Sequence, residues 1–295
     1  MQEFVQQLIN AIALGSIYAL IALGYTMVYG IVKLINFAHG DILMLGAFAG
    51  YFVLFQYGIN PLTLIIAFVF SMAVCAVAGM VIEKTCYMPL RNSPKINALI
   101  TAIGVSIFLE NGARVTPFIG PNPKQFPTIG KKFEGLGVSI SYVQIAEFAV
   151  AVILMFILYV IVNHTKIGKA MRAVSYDKNA ALMMGIDVNR VISFTFAIGT
   201  ALAAAAGILF ALAYPQVEPY MGMMPGLKAF IAAVVGGIGN IPGAVLGGYI
   251  MGTAETFTKG YISSSWANPI AFGILILILV VKPSGILGRN TSEKV

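Results

Sequence analysis

Reactive and metal-ligating side chains are nearly absent from this chain of 295 residues, which holds two cysteines, two histidines and one tryptophan. Cys75 and Cys86 fall in or at the end of one apolar run, so the sequence encodes neither a disulfide framework nor a CxxC metal site. His39 and His164 stand in different segments without a ligand cluster around either, which speaks against a metal centre. Charge is scarce too: Asp, Glu, Lys and Arg make up 10% of the residues, against 59% apolar ones. A water-soluble fold of this length cannot hide so much apolar surface, so the solvent is the bilayer. Catalytic patterns are also missing. There is no GxSxG elbow, no HExxH pair and no Ser-His-Asp set at an arguable spacing, and the glycine-rich GGIGN at 236–240 lacks the GK[ST] ending that holds nucleotide phosphates and magnesium. An enzyme is therefore not expected, no cofactor is expected on this chain, and if ATP is consumed it must be bound by another polypeptide.

What is present is a series of long apolar stretches, roughly over 5–30, 37–56, 61–83, 96–118, 141–162, 191–214, 226–239, 242–258 and 268–282. A helix crosses the hydrocarbon core with about 20 apolar residues, whereas a β-barrel would show short alternating strands. The expectation is an all-α, polytopic bundle of about eight or nine transmembrane helices, forming one domain over 1–295. The net charge of +7 sits in short linkers rather than on one soluble face, which argues against a nucleic-acid partner and marks topology instead. Lys84, Arg91 and Lys95 in one linker, Lys166, Lys169, Arg172, Lys178 and Arg190 in the next, and Lys282, Arg289 and Lys294 in the tail all place their segments in the cytoplasm. The opening MQEFVQQLIN contains an acid and no basic residue, unlike a cleaved signal peptide, and the first basic residue is Lys33. The first helix should therefore be retained, with its N-terminus outside. The segment from Ile119 to Ser141 carries Lys124, Lys131 and Lys132, yet it has to face outward between two inward neighbours. Its Gly and Pro content predicts an ordered external loop with a short hairpin, either merely solvated or in contact with something outside the membrane.

Ionisable groups inside apolar runs cost roughly 2.5–3.5 kcal/mol on insertion scales, so each is a candidate for function. Asn36, His39 and Asp41 open the second run in NFAHGD, where polar side chains can cap or re-satisfy backbone as a helix begins or re-enters the membrane. Glu110, Asn111 and Arg114 lie in the fourth run. The i, i+4 spacing of Glu110 and Arg114 predicts a pair on one helix face, with a direct part in transport as the competing reading. Glu147 and Glu255 sit near predicted helix ends, where snorkelling to the interface is the simpler expectation, although Glu255 stands with the preceding residues as a candidate pathway or buried polar group. Gly239, Gly243 and Gly247 recur every four residues, as do Gly248 with Gly252 and Gly46 with Gly50, and such small faces permit close helix packing in lipid. Pro242 and the glycines before it predict a break, tolerated at depth only where protein or a watery cavity covers the freed backbone groups.

The linker over 164–190 interleaves apolar Ala170, Val174, Ala181, Leu182, Met183 and Met184 with charged residues, a pattern for short amphipathic helices at the membrane surface. Either attraction to anionic lipid or docking of a cytoplasmic partner would use them. Here KIGKAMRAV followed by NAALMMGIDVNRVI resembles the cytoplasmic loop of LivH-type permeases of branched-chain amino-acid ABC importers. NFAHGDILMLGAF, KAFIAAVVGGIGNIPGAVLGG and the closing KPSGILG resemble other segments of that family, in the same order along nearly the whole chain. The resemblance implies a second, LivM-like permease paired as a heterodimer in the bacterial cytoplasmic membrane, cytoplasmic ATPase subunits, and an extracytoplasmic substrate-binding protein. It further implies that Arg172, Ala173, Asp177, Ala180, Ala181 and Gly185 belong to a coupling helix seated in a groove of the ATPase, whose closure tilts the bundle between inward and outward states. Leucine, isoleucine or valine would be the substrate, which suits a path with few ionised groups. Urea, short amides or other amino acids are carried by related permeases, and a self-sufficient secondary transporter is the remaining alternative.

Overall fold

The computed structural model describes residues 2–33, 36–91, 93–128, 130, 132–135 and 137–288; Lys131, Arg289 and Lys294 lie outside them. Each of the nine apolar stretches forms a helix. In chain order these are α1 (Gln2–Val32), α2 (His39–Tyr57), α3 (Pro61–Ile82), α4 (Lys95–Val115) and α5 (Tyr142–His164), then α8 (Val188–Ala213), α9 (Met223–Gly236), α10 (Ile241–Tyr261) and α11 (Ala267–Val281). The basic linker adds two short helices between α5 and α8, α6 (Lys166–Tyr176) and α7 (Lys178–Met183). Seven of the described helical segments are long and apolar enough to cross a membrane. The 14 residues of α9 rise only about 21 Å, short of the ~30 Å hydrocarbon core.

Local chemistry sets most helix starts. Asn60 and Thr63 form a capping box before α3, and Ser141 and Gln144 form another before α5. Asp187 and Asn240 accept backbone N–H groups at the starts of α8 and α10, and Pro242 occupies the first turn of α10, where it has no helical N–H to lose. Such a side-chain cap stabilises a helix by about 1 kcal/mol. The far end of α3 widens into a π turn over Glu83–Tyr87 and then a 3₁₀ turn over Met88–Leu90.

Burial separates an inner set of helices from an outer one. The most apolar window of α1 is 94% buried, against 11% for that of α11. The centre is α1, which α8, α9 and α10 surround, while α3, α4, α5 and α11 present mostly apolar side chains outward, the arrangement expected where lipid is the solvent. Glycine allows the inner helices to approach backbone to backbone. A Cβ at Gly248 would lie 2.5 Å from Ala19 Cα, one at Gly252 2.4 Å from Gly15 Cα, one at Gly247 1.9 Å from the Ala232 carbonyl oxygen, and one at Gly243 2.4 Å from that of Gly236. Gly243 and Gly247 therefore seat α10 on α9, and Gly248 and Gly252 seat it on α1. Gly239 does not begin this row. It precedes α10 with φ +91°, in the turn that links α9 to α10, where the required backbone breaks the helical register.

That turn is the predicted break, and the tail completes it. Gly237, at φ +106°, ends α9. The backbone N–H groups of Ile286 and Leu287 donate to the Val235 and Gly236 carbonyls at 2.8 and 3.0 Å, and the Asn240 side chain donates to the Leu287 carbonyl at 2.7 Å. Carbonyls that a helix end would leave bare are thus satisfied by KPSGILG. One end of the bundle gathers this turn, the 83–94 linker and the α6–α7 pair. The opposite end carries residues 116–141, where β2 (Lys132–Gly135) and β3 (Val138–Ser141) form the expected hairpin, and β1 (Lys124–Gln125) pairs antiparallel with β4 (Gln216–Val217) beyond α8.

Candidate functional site

At the linker end, α6 and α7 form an elbow. Thr165 caps α6 by accepting from Gly168 N–H at 3.0 Å, and its hydroxyl donates to the Ile161 carbonyl at 2.5 Å. Gly168 lets α6 fold back on α5, since a Cβ there would lie 2.2 Å from the Ile161 and Val162 carbonyl oxygens. Arg172 donates to that same Val162 carbonyl. Met171 and Val174 of α6 and Ala181 of α7 are buried against the bundle, and Asp177 joins the two helices by capping α7 through Asn179 and Ala180 N–H. Gly185 ends α7 at φ +79°, with Gly185 N–H to Leu182 and Ile186 N–H to Ala181, a Schellman stop. Of the predicted coupling residues, Ala180 and Gly185 face outward, Ala173 is half-buried, and Ala181 turns inward. Three large apolar side chains are left in the open at the tip: Tyr176, Met183 and Met184 are 92%, 88% and 82% exposed.

The start of α8, which follows the elbow, is tied to the 83–91 linker. Glu83, fully buried, pairs with Arg91 and accepts from the Ser193 hydroxyl at 2.5 Å, while Arg91 donates to Asn189 at 2.6 Å. Sequence reasoning missed Glu83, because nothing local tells which member of a charged linker folds inward. Burial, and then the Arg91 and Lys33 cations near it, hold the Lys178 ammonium below the usual lysine range. The folded state thus disfavours the charged form. That penalty is present below the folded pKa and fades as pH rises through it towards the unfolded value. Lys178→Met is accordingly expected to raise the melting midpoint of the purified chain at neutral pH, with a gain that shrinks in high salt and at alkaline pH.

The polar residues opening the second run come together inside the bundle. Tyr87 donates to Asn36 at 2.8 Å, and the fully buried His39 ring packs 4.5 Å from that of Tyr25. The starts of α2 and α9 meet at Gly40, Gly222 and Gly226, where a Cβ on Gly40 would lie 2.6 Å from the Gly222 carbonyl oxygen. Asp41 is buried beside Ser106 and Glu110 of α4, and its Oδ2 has no hydrogen-bond partner among the described residues. The predicted Glu110–Arg114 pair does not form among the described residues. Arg114 instead donates to the Tyr220 hydroxyl at 2.7 Å and stacks over its ring, so a neighbouring segment supplies what the helix neighbour was expected to give. Asn111 and Arg114 are exposed rather than buried. The reason is that α4 packs loosely on the bundle, and its last turns reach the surface.

Glu255 does not snorkel. It is 4% exposed and accepts from Tyr18 at 2.6 Å, Lys228 at 2.8 Å and Lys259 at 2.6 Å, so three elements converge on one carboxylate. Lys228 was legible as a charge inside the run 226–239, but its long aliphatic stem blends with the apolar residues around it.

Glu147 does not snorkel either. It is 2% exposed, and one carboxyl oxygen has no hydrogen-bond partner among the described residues. It lines a cavity of about 490 Å³ at the loop-bearing end, between α1, α5, α8 and the β2–β3 hairpin. On one wall Asn10 accepts from Gln6 at 3.2 Å and from Gln144 at 2.8 Å. Leu14, Val143 and Leu212 form an apolar wall. A second chamber of about 260 Å³, bordered by Lys259, shares Asn10, Leu14 and Tyr214 with the first.

The sequence pattern of the family described as "Branched-chain amino acid transport system / permease component" matches residues 7–280. The high-affinity branched-chain amino acid transport system permease protein LivH of Salmonella typhimurium is 42% identical, over 99% of this chain and 98% of its own length. The permease protein BraD of the corresponding high-affinity system in Pseudomonas aeruginosa is 43% identical, over 99% of this chain and 98% of its own. A probable branched-chain amino acid transport permease protein LivH from Methanocaldococcus jannaschii is 28% identical, over 95% and 91%.

Proposed function

This chain belongs to the permease-component family of branched-chain amino acid transport systems, and on that premise we propose that it is the membrane subunit through which an ATP-driven importer carries leucine, isoleucine or valine into the cell. The α6–α7 elbow carries this reading: a braced platform with Tyr176, Met183 and Met184 in the open is what a second protein needs for a rigid seat. The partner on that seat is a cytoplasmic ATPase subunit, which binds the nucleotide. A second, LivM-like permease pairs with this chain in the membrane, and a substrate-binding protein delivers the amino acid from outside. The basic linkers and the tail then face the cytoplasm, and the N-terminus and residues 116–141 face outward.

Purification of the solubilised protein from its native host tests this reading. The ATPase is expected to accompany the wild type and to be lost from Met183→Glu and Met184→Glu, each of which puts a charge into an apolar contact without touching the bundle. Gly185→Arg is a poorer probe, because φ +79° would strain any side chain there. If the chain purifies alone and accumulates leucine in liposomes without ATP, a self-sufficient carrier replaces this reading.

A further inference from the structure

Going beyond the family's role in transport, we propose that the two adjoining chambers at the outer end are a binding site, within the permease itself, for a zwitterionic aliphatic amino acid. The inference rests on the reading above and deepens it by placing the substrate class on named residues. The Glu147 carboxyl lines the larger chamber, nearly fully buried, with one oxygen unpartnered, so it is a ready acceptor for an ammonium group. Lys132 of the hairpin lines that chamber as well, and the smaller chamber adds a second cation. Glu255 sets one formal negative charge against both Lys228 and Lys259, leaving one positive charge over. Of those lysines, Lys259 borders the chamber and is the more open, its side chain 38% exposed against 9% for Lys228. Tyr214 is common to both chambers. One carboxyl without a partner and one cation in excess, in chambers that share Asn10, Leu14 and Tyr214, complement the ammonium and carboxylate that an amino acid carries on one carbon.

The remainder of the ligand fits the walls. Leu14, Val143 and Leu212 offer apolar surface for an aliphatic side chain, and the Asn10 oxygen, held by Gln6 and Gln144, leaves its N–H₂ end to donate to a carboxylate. About 490 Å³ lies within the range of pockets that enclose small ligands.

Three probes separate the parts of the site: leucine, 3-methylbutylamine, which lacks the carboxylate, and 4-methylpentanoate, which lacks the ammonium. Their binding is measured by calorimetry on the membrane complex without its binding protein. Glu147→Gln is expected to weaken leucine and the amine by about 10- to 100-fold and to leave the acid unchanged; Lys259→Gln is expected to weaken leucine and the acid instead. Weakening of all three probes alike by both variants would show a merely structural effect and overturn the site. So would unchanged leucine affinity in Glu147→Gln, or a wild type that binds none of the probes while the full complex in liposomes imports leucine. Failure of that wild-type complex to import any branched-chain amino acid would instead sink the transport reading, and the site with it.

Discussion

Replacing Glu255 by alanine is expected to cost about 3–5 kcal/mol, a large fraction of the roughly 5–15 kcal/mol that holds a typical fold. The carboxylate takes hydrogen bonds from Tyr18, Lys228 and Lys259, so it holds α1, α9 and α10 together at one point. Its removal strands Lys228, which is 7% exposed, and leaves the Tyr18 hydroxyl without its acceptor. Most of the loss is the desolvation of charge left behind rather than the worth of the pair itself. The double variant Glu255→Met with Lys228→Met should therefore recover most of the stability, because Lys259 is open enough to reach the interface unaided. Size-exclusion chromatography of heated samples reads both. A single variant that melts with the wild type would show that the three-way contact is not formed in the membrane.

Gly248→Leu and Gly252→Leu should each destabilise the bundle by about 1–3 kcal/mol or more. Both positions meet the backbone of α1 rather than a flexible side chain, with Cβ-to-Cα separations of 2.5 and 2.4 Å, so no rotamer can absorb the added atoms. The helices must separate, and in lipid no hydrophobic drive rejoins them at a distance. Gly104→Ala and Gly112→Ala on α4 provide the contrast. A Cβ there meets nothing within 4 Å, so helix propensity alone acts, and a gain of about 0.5–1 kcal/mol is expected. Equal melting points across the four variants would refute the close α1–α10 contact.

These particulars show where the sequence was legible. Hydropathy alone placed nine helices, because a long apolar run is a strong local signal, although seven of the described helical segments are long and apolar enough to cross and α9 is too short. The four-residue glycine spacing was readable from Gly243 onward and misleading at Gly239, where positive φ, invisible in composition, takes the residue out of the helix. Side-chain partners were the hard part. Arg114 chose Tyr220 over Glu110, and Glu255 chose Lys228, 27 residues away, because such pairs depend on packing between elements that no spacing rule encodes. Amphipathicity revealed the α6–α7 elbow but not its facing. Ala181 and Met183 are two residues apart on one short helix, one buried and one bare. Glu147 was readable as a charge in a run and invisible as the wall of a cavity, which takes α1, α5, α8 and a hairpin to make.

The tail that closes the α9–α10 turn bears on how the chain enters the membrane during synthesis. Ile286 is translated 51 residues after the Val235 carbonyl to which it donates. Until then α9, too short to span, has a bare lower end, and it is made before two of its neighbours, α10 and α11. An insertion machinery releasing one helix at a time would deliver α9 to lipid unfinished. The last quarter of the chain must therefore be retained and released as a unit, and a ribosome stalled at Val281 would hold a nascent permease whose shortest apolar helix has yet to find its floor.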